Sequence, residues 1–201
     1  VLHQHIPALV VNVVFLGGVN VFHPALVVHK VRNGADKMPA GIKYLKLTVE
    51  NGKVVKVRVN MGQPILAPDR IPVIAEKEPV VAEPIKVCGK EWKMTCVSMG
   101  NPHAVIFIDT PVKEFPLETY GPLFESHERF PKRTNTEFVR VLDRKTMEMR
   151  VWERGSGETL ACGTGACASV VACVLNNLTD NKVTVKLLGG DLKIKYDTDE
   201  N

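Results

Sequence analysis

Several features that would place this 201-residue sequence in a familiar class of protein are missing. Its five cysteines are an odd number, and no two of them form a Cys-x-x-Cys pair. This argues against a disulfide framework and against a zinc site. Free thiols are typical of a reducing compartment, so we expect a cytoplasmic protein, or a plastid one if the source is a plant.

A continuous apolar run long enough to cross a membrane is also missing. The apolar stretch 6–22 is interrupted by Asn12, Gly17, Gly18 and Asn20, and it lacks a basic segment before it. We therefore expect neither a membrane span nor a signal peptide. The net charge of +4 comes from dispersed Lys and Arg, without a basic run interleaved with aromatics. Nucleic acid is accordingly not an expected partner, whereas a small anionic substrate suits the mild positive balance.

The composition that remains is that of a globular protein, with 45% hydrophobic and 24% charged residues. The most informative stretch is 146–175. Residues 146–153 alternate between apolar and other side chains, which predicts a strand with Glu153 on its inward face. Gly155 and Gly157 end the strand, and from Ala166 almost every residue is apolar as far as Asn176. A helix that is apolar on all sides is buried, so we expect this one at the centre of the fold.

Cys162 lies at the entry to this central helix, beside Gly163 and Gly165. Free backbone amides at a helix start attract anions, and the helix dipole there lowers the pKa of a thiol toward neutrality. The alternative is a glycine-rich helix entry with a buried, inert cysteine. Because Glu153 and Arg154 lead into the same loop, the functional interpretation is favoured.

The residues Glu153-Arg154-Gly155, followed by Ala161-Cys162-Gly163-Thr164-Gly165-Ala166-Cys167-Ala168, resemble the second catalytic cysteine motif of diaminopimelate epimerases. These enzymes interconvert LL- and meso-diaminopimelate in lysine and cell-wall biosynthesis and use no cofactor. The segments 98–103 and 133–138 resemble two further motifs of the family, in the same order. The resemblance covers roughly residues 43–196.

The resemblance implies a function for each matching residue. Cys162 would act as acid or base on one face of the α-carbon, with His103 and Glu153 as its catalytic partners. Asn101 and Asn135 would orient the substrate. Taken by itself, Asn101 is better explained as a turn residue that precedes a proline. For Asn135 the alternative is likewise an ordinary turn residue.

Physical chemistry suggests which further residues could contact the substrate. Amides of Gly163 and Thr164 at the helix start can hold a carboxylate. Glu153 can meet an ammonium group and Arg154 a carboxylate, although an ion pair at a strand end is the simpler explanation for these two residues. We expect no metal and no cofactor.

The fold class that we predict is α+β: a diaminopimelate epimerase-like half-barrel of mixed or antiparallel strands around a central buried helix. We divide the chain into an incomplete N-terminal domain (1–75) and a C-terminal domain (76–201), because prolines concentrate in 63–84. Glycine-containing turns predict hairpins over 44–61, 85–97 and 182–196. An amphipathic helix is predicted over 116–130, broken at Gly121-Pro122.

One part of the family pattern is missing. Those enzymes carry a first catalytic motif, Cys-Gly-Asn-Gly, and an Asn-Asp-Phe segment in their N-terminal half, whereas no cysteine precedes Cys88 here. Cys167 and Cys173 fall inside the predicted buried helix and are poor substitutes.

We therefore expect epimerisation of LL-diaminopimelate by cysteine acid/base chemistry, impaired by the missing first cysteine. Two alternatives stay open: a cysteine hydrolase built from Cys162, His103 and Asn135, and an inactive remnant that binds substrate. The expected partner is a small amino acid, diaminopimelate, with a homodimer as a candidate assembly.

Overall fold

The computed structural model describes residues 11–16, 34–38, 41–51 and 53–197. Two α-helices lie among these residues, α1 (Leu117–Glu125) and α2 (Gly163–Leu175), together with one short 3-10 helix, Pro68–Arg70. The strands are β1 (Val11–Leu16), β2 (Gly34–Met38), β3 (Gly41–Glu50), β4 (Lys53–Asn60), β5 (Glu83–Val87), β6 (Lys90–Ser98), β7 (Pro102–Phe107), β8 (Asn135–Asp143), β9 (Thr146–Glu153), β10 (Gly157–Thr159), β11 (Lys182–Leu187) and β12 (Gly190–Tyr196).

In the described part of the chain these strands form one mixed sheet. Its order is β2-β3-β4-β1-β12-β11-β9-β8-β7-β6-β5, with β10 added beside β9. The pairs β7–β8 and β9–β11 are parallel, and the other neighbours are antiparallel. Helix α2 packs against β6, β7, β8 and β12, so that its contacts extend over much of the sheet. This is the predicted α+β arrangement of strands around a buried helix.

The three predicted hairpins are present as the pairs β3–β4, β5–β6 and β11–β12. At the tip of β5–β6, Cys88 and Gly89 have φ values of 51° and 72°. A two-residue type I′ turn needs positive φ at both central positions, which a glycine adopts without strain. The division of the chain near residue 75 stays a prediction.

The middle of the sheet is covered on both faces. Core residues of one face, including Val97, Val105 and Val139, pack around α2. Those of the other face, including Ile106 and Phe138, pack with α1. Strands β7 and β8 therefore show continuous burial over several residues instead of alternation, as expected for strands covered on both sides.

The α1 region differs from its prediction. Instead of a broken helix over 116–130, a single helix runs from Leu117 to Glu125 with Pro122 inside it. A proline this close to the end of a helix removes only one intrahelical hydrogen bond. The burial of Leu117 and Phe124 against the sheet stabilises the helix despite this loss. The residue after the helix, Ser126, is its C-cap, and its amide and hydroxyl both donate to the carbonyl of Pro122. No helix among the described residues combines the length and apolar character needed to span a membrane.

Candidate active site

Three adjacent strands present their ends at one edge of the sheet. Strand β7 begins at Pro102 and its parallel neighbour β8 begins at Asn135, which pairs with His103. Strand β9 runs the opposite way, so its last residue, Glu153, reaches the same edge. Three segments that are distant in sequence therefore converge there.

Three ionisable side chains near this edge lie on the α2 face of the sheet. Val105, Val139 and Val151 belong to the core around α2. Because side chains alternate along a strand, residues two positions away lie on that face too. Those residues are His103, Glu137 and Glu153.

Helix α2 completes the site with Cys162, its N-cap residue. The thiol is 6% exposed. Its Sγ accepts a hydrogen bond from the Gly165 amide at 3.4 Å and lies 3.5 Å from the Thr164 hydroxyl. The predicted position of Cys162 at the start of the buried helix is confirmed.

The predicted lowering of the Cys162 pKa is wrong for this structure. Burial raises the pKa of the thiol to about 12, and the nearby carboxylates of Glu153 and Glu137 add to the rise. Hydrogen bonds from Thr164 and Gly165 act in the opposite direction. The helix-start donors contribute as expected, but desolvation and the two neighbouring acidic side chains outweigh them.

The imidazole of His103 is fully buried and contacts a residue at each nitrogen. Nδ1 lies 2.7 Å from Glu137 Oε1, and Nε2 lies 3.1 Å from Asn101 Oδ1. Both ring nitrogens are thus occupied by groups other than Cys162. The Cys162–His103–Asn135 arrangement of a cysteine hydrolase is accordingly not formed in the structure.

Asn135 joins two of the converging segments. Its Nδ2 donates to the Pro102 carbonyl at 2.7 Å, and its Oδ1 accepts from the Arg154 amide at 2.9 Å. Asn135 is 4% exposed. In this structure its amide fixes the backbone beside Asn101 and Arg154, and contact with a substrate stays a prediction.

Glu153 and Arg154 occupy the solvent side of the site. The Glu153 carboxylate is half-buried and accepts a hydrogen bond from the Thr159 hydroxyl. The Arg154 side chain is exposed and donates to the Lys132 carbonyl at 3.1 Å. The site therefore has a buried layer and an accessible layer. The buried layer contains His103, Asn135, Glu137 and Cys162, and the accessible layer contains Asn101, Glu153, Arg154, Gly163 and Thr164.

Two carboxylates of the site were missed by the sequence analysis. Glu137 lies between His103 and α2, and Glu125 of α1 accepts hydrogen bonds from the Trp152 indole and the Gly155 amide. The available signal for Glu137 was a charged residue within a strand that is buried on both faces. Among the described residues, no cluster of three His, Cys, Asp or Glu side chains is arranged to hold a metal ion.

Comparison with solved structures defines the class of fold. A hydroxyproline epimerase from Agrobacterium vitis superposes with a TM-score of 0.59 at 12% identity, covering 84% of this chain and 52% of that one. A probable proline racemase from Agrobacterium radiobacter superposes with a TM-score of 0.54 at 11% identity, covering 85% and 61%. At these identities the likeness shows the fold alone, and it confirms the predicted epimerase-like class.

Sequence comparison then gives the family. The family model for diaminopimelate epimerase matches residues 95–201. The diaminopimelate epimerase of Agathobacter rectalis is 60% identical over 169 residues, covering 81% of this chain and 59% of that protein. That of Methanococcus maripaludis strain C5 is 60% identical over 162 residues, covering 81% and 58%. The chain belongs to the diaminopimelate epimerase family and spans somewhat more than half the length of these curated relatives.

Proposed function

We propose that this chain epimerises LL-diaminopimelate to meso-diaminopimelate by moving a proton at the α-carbon, with Cys162 as one acid/base group. The observation that carries the proposal is the placement of Cys162 at the N-cap of buried α2, inside the motif that resembles the family's catalytic one. The identity of about 60% to diaminopimelate epimerases supports the same substrate.

Inverting an α-carbon requires a group that removes a proton from one face and a group that delivers one to the other. In the proposal, Cys162 serves one face. The amides of Gly163 and Thr164 receive the α-carboxylate, because the first N–H groups of a helix lack intrahelical acceptors. The positive end of the helix dipole also stabilises the charge that develops as the proton leaves.

The remaining contacts follow from the accessible layer of the site. Glu153 would bind an ammonium group and Arg154 a carboxylate of diaminopimelate. Asn101 and Asn135 would orient the substrate, and His103 would support catalysis from the buried layer.

The other four cysteines are poor candidates for the second acid/base group. Cys96, Cys167 and Cys173 are buried in the core, and Cys88 is exposed on the β5–β6 turn. The test of the function therefore has to follow each face of the α-carbon separately.

Solvent-deuterium incorporation at the α-carbon of LL-diaminopimelate provides this test, comparing the native chain with Cys162→Ser. Serine is a strong N-cap residue, so the variant keeps α2 capped while losing the thiol. We expect incorporation with inversion in the native chain and its loss in Cys162→Ser. Incorporation with retention would limit the chemistry to one face and contradict epimerisation. Binding without any exchange would support the substrate-binding remnant instead.

A cytoplasmic location is a further part of this proposal, supported by five free thiols, which a reducing compartment maintains. The homodimer stays a prediction.

A further inference from the structure

Glu137 is a buried carboxyl group at the centre of the candidate active site, and no motif assigns it a role. Its side chain is 0% exposed. Oε1 lies 2.7 Å from His103 Nδ1. The same oxygen is 2.5 Å from the point where a side chain at position 165 would begin, and Cys162 Sγ is 3.2 Å from that point. The carboxyl group therefore packs against the imidazole and against the first turn of α2.

The hydrogen bonds determine where the protons of His103 lie. Nε2 faces Asn101 Oδ1 at 3.1 Å. An amide oxygen only accepts hydrogen bonds, so Nε2 must carry a proton. Nδ1 then either accepts from a protonated Glu137 or, in an imidazolium ion, donates to an ionised Glu137.

The surroundings of Glu137 favour the protonated form. Its second oxygen, Oε2, is buried without a hydrogen-bond partner among the described residues. An ionised carboxylate left in this way is costly, whereas the carbonyl oxygen of a neutral acid tolerates it better. Burial raises the pKa of Glu137, the charge of Glu153 raises it further, and His103 opposes both.

The groups around Glu137 come from four elements. His103 faces it from β7, Glu153 acts from β9, and Cys162 lies at the start of α2. The thiol of Cys96 on β6 also interacts electrostatically with Glu137. Apart from His103, all of these groups are neutral or anionic, so they do not favour a second negative charge on Glu137.

We propose that Glu137 is a positioning residue: its protonated carboxyl group donates to His103 Nδ1, holds the imidazole as the Nε2–H tautomer, and so orients the Asn101 amide. With Oδ1 held by His103, the Nδ2 group of Asn101 is presented on the accessible side as a donor. In that position the Nδ2 group can donate a hydrogen bond to a carboxylate of an amino-acid substrate; this part of the inference rests on the proposed function.

The tautomer can be observed without turnover or substrate, by nitrogen NMR of the full chain labelled at histidine. We expect His103 to be neutral and protonated at Nε2 near neutral pH. Half-buried His127, which contacts the Lys86 carbonyl, serves as the internal reference. Glu137→Gln should keep this tautomer, because the glutamine amide also donates to Nδ1. Glu137→Leu should lose it. An imidazolium in the native chain, or loss of the tautomer in Glu137→Gln, would overturn the proposal.

Thr136→Val is the matched control. Thr136 is equally buried on β8 but lies on the α1 face, and its hydroxyl has no partner among the described residues. This variant should leave the His103 signals unchanged. If Glu137→Leu fails to fold, the native chain and Glu137→Gln still decide between the two protonation states.

A calorimetric titration with diaminopimelate tests the consequence for Asn101. We expect Glu137→Leu to weaken binding about tenfold or more, the size of a lost hydrogen bond to a charged group, and Glu137→Gln to recover most of the loss. A native tautomer with no binding at all would contradict the proposed substrate while leaving the positioning role intact. Unchanged binding in a folded Glu137→Leu would contradict the role of Asn101.

Discussion

Gly165 lies between two of the buried ionisable side chains of the candidate active site, those of Glu137 and Cys162. A Cβ at this position would be 2.5 Å from Glu137 Oε1 and 3.2 Å from Cys162 Sγ. Both atoms belong to buried side chains, so neither can move aside into solvent. Glycine is therefore required here by close packing, and not by its freedom to adopt positive φ.

The first prediction compares two glycines in the same helical turn. We expect Gly165→Ala to lower the free energy of unfolding by about 1–3 kcal/mol, the usual cost of overpacking a core. Gly163→Ala should be neutral or slightly stabilising, because no atom lies within 4 Å of its Cβ position and alanine favours the helix. Urea denaturation measures both values. Equal effects at the two positions would show that packing does not distinguish them.

At the scale of elements, α1 holds the turn that carries Glu153 and Arg154. Glu125 at the end of α1 accepts hydrogen bonds through both carboxylate oxygens. The Trp152 indole donates to Oε2 at 2.7 Å, while the Gly155 amide and Arg133 donate to Oε1 at 2.9 Å and 3.1 Å. One side chain thus ties the helix to the end of β9 and to the turn after it.

This arrangement predicts that Glu125→Gln is destabilising although the two side chains have the same shape. The new NH₂ group would face a donor at either oxygen position, leaving at least one partly buried N–H without an acceptor. We expect a loss of about 1–3 kcal/mol in thermal or urea unfolding. Exposed Glu128 lies beyond the helix, and Glu128→Gln should change stability by less than about 0.5 kcal/mol. A loss of the same size in both variants would rule out the proposed role of Glu125 in holding this turn.

For the molecule as a whole, buried thiols make stability depend on alkaline pH. Burial raises the pKa of both Cys162 and Cys173 to about 12, from an ordinary value of 9.0. The unfolded chain releases these protons above pH 9.0, while the folded protein holds them to about 12. The stabilisation is therefore complete below the lower value and is lost as pH rises toward the upper one.

We expect the free energy of unfolding to fall by about 1.4 kcal/mol per pH unit for each of these thiols across that interval. Denaturation curves at a series of alkaline pH values measure the slope. Cys173→Ala should reduce the slope, whereas Cys88→Ala should leave it unchanged, because Cys88 is exposed in the folded protein too. A slope that is indifferent to Cys173 would mean that other groups cause the alkaline loss.

Much of the fold could be predicted from the local sequence. The alternation over 146–153 predicts β9 with its bounds, and the almost wholly apolar run from Ala166 predicts a buried helix with Cys162 at its entry, where the structure has α2 and its N-cap. Turn residues located the hairpins. These features depend on neighbouring residues, so a pattern of a few positions suffices to predict them. The end of α1 at Glu125 could not be predicted, because the chain beyond it makes contacts with distant residues, such as that of His127 Nε2 with the Lys86 carbonyl on β5.

The sequence by itself determined that Cys162 lies at a helix entry. It also predicted which residues carry chemistry, namely Cys162 with Asn101, His103, Asn135, Glu153 and Arg154, in motifs that resemble the family's; that part stays a prediction. Only the tertiary structure decided the state of those groups. Glu137 meets His103 from 34 residues away, and the Cys162 pKa rises because strands and a helix remove the thiol from water beside the acidic side chains of Glu153 and Glu137. Protonation depends on distance and burial in space, and neither is fixed until separate segments of the chain pack together.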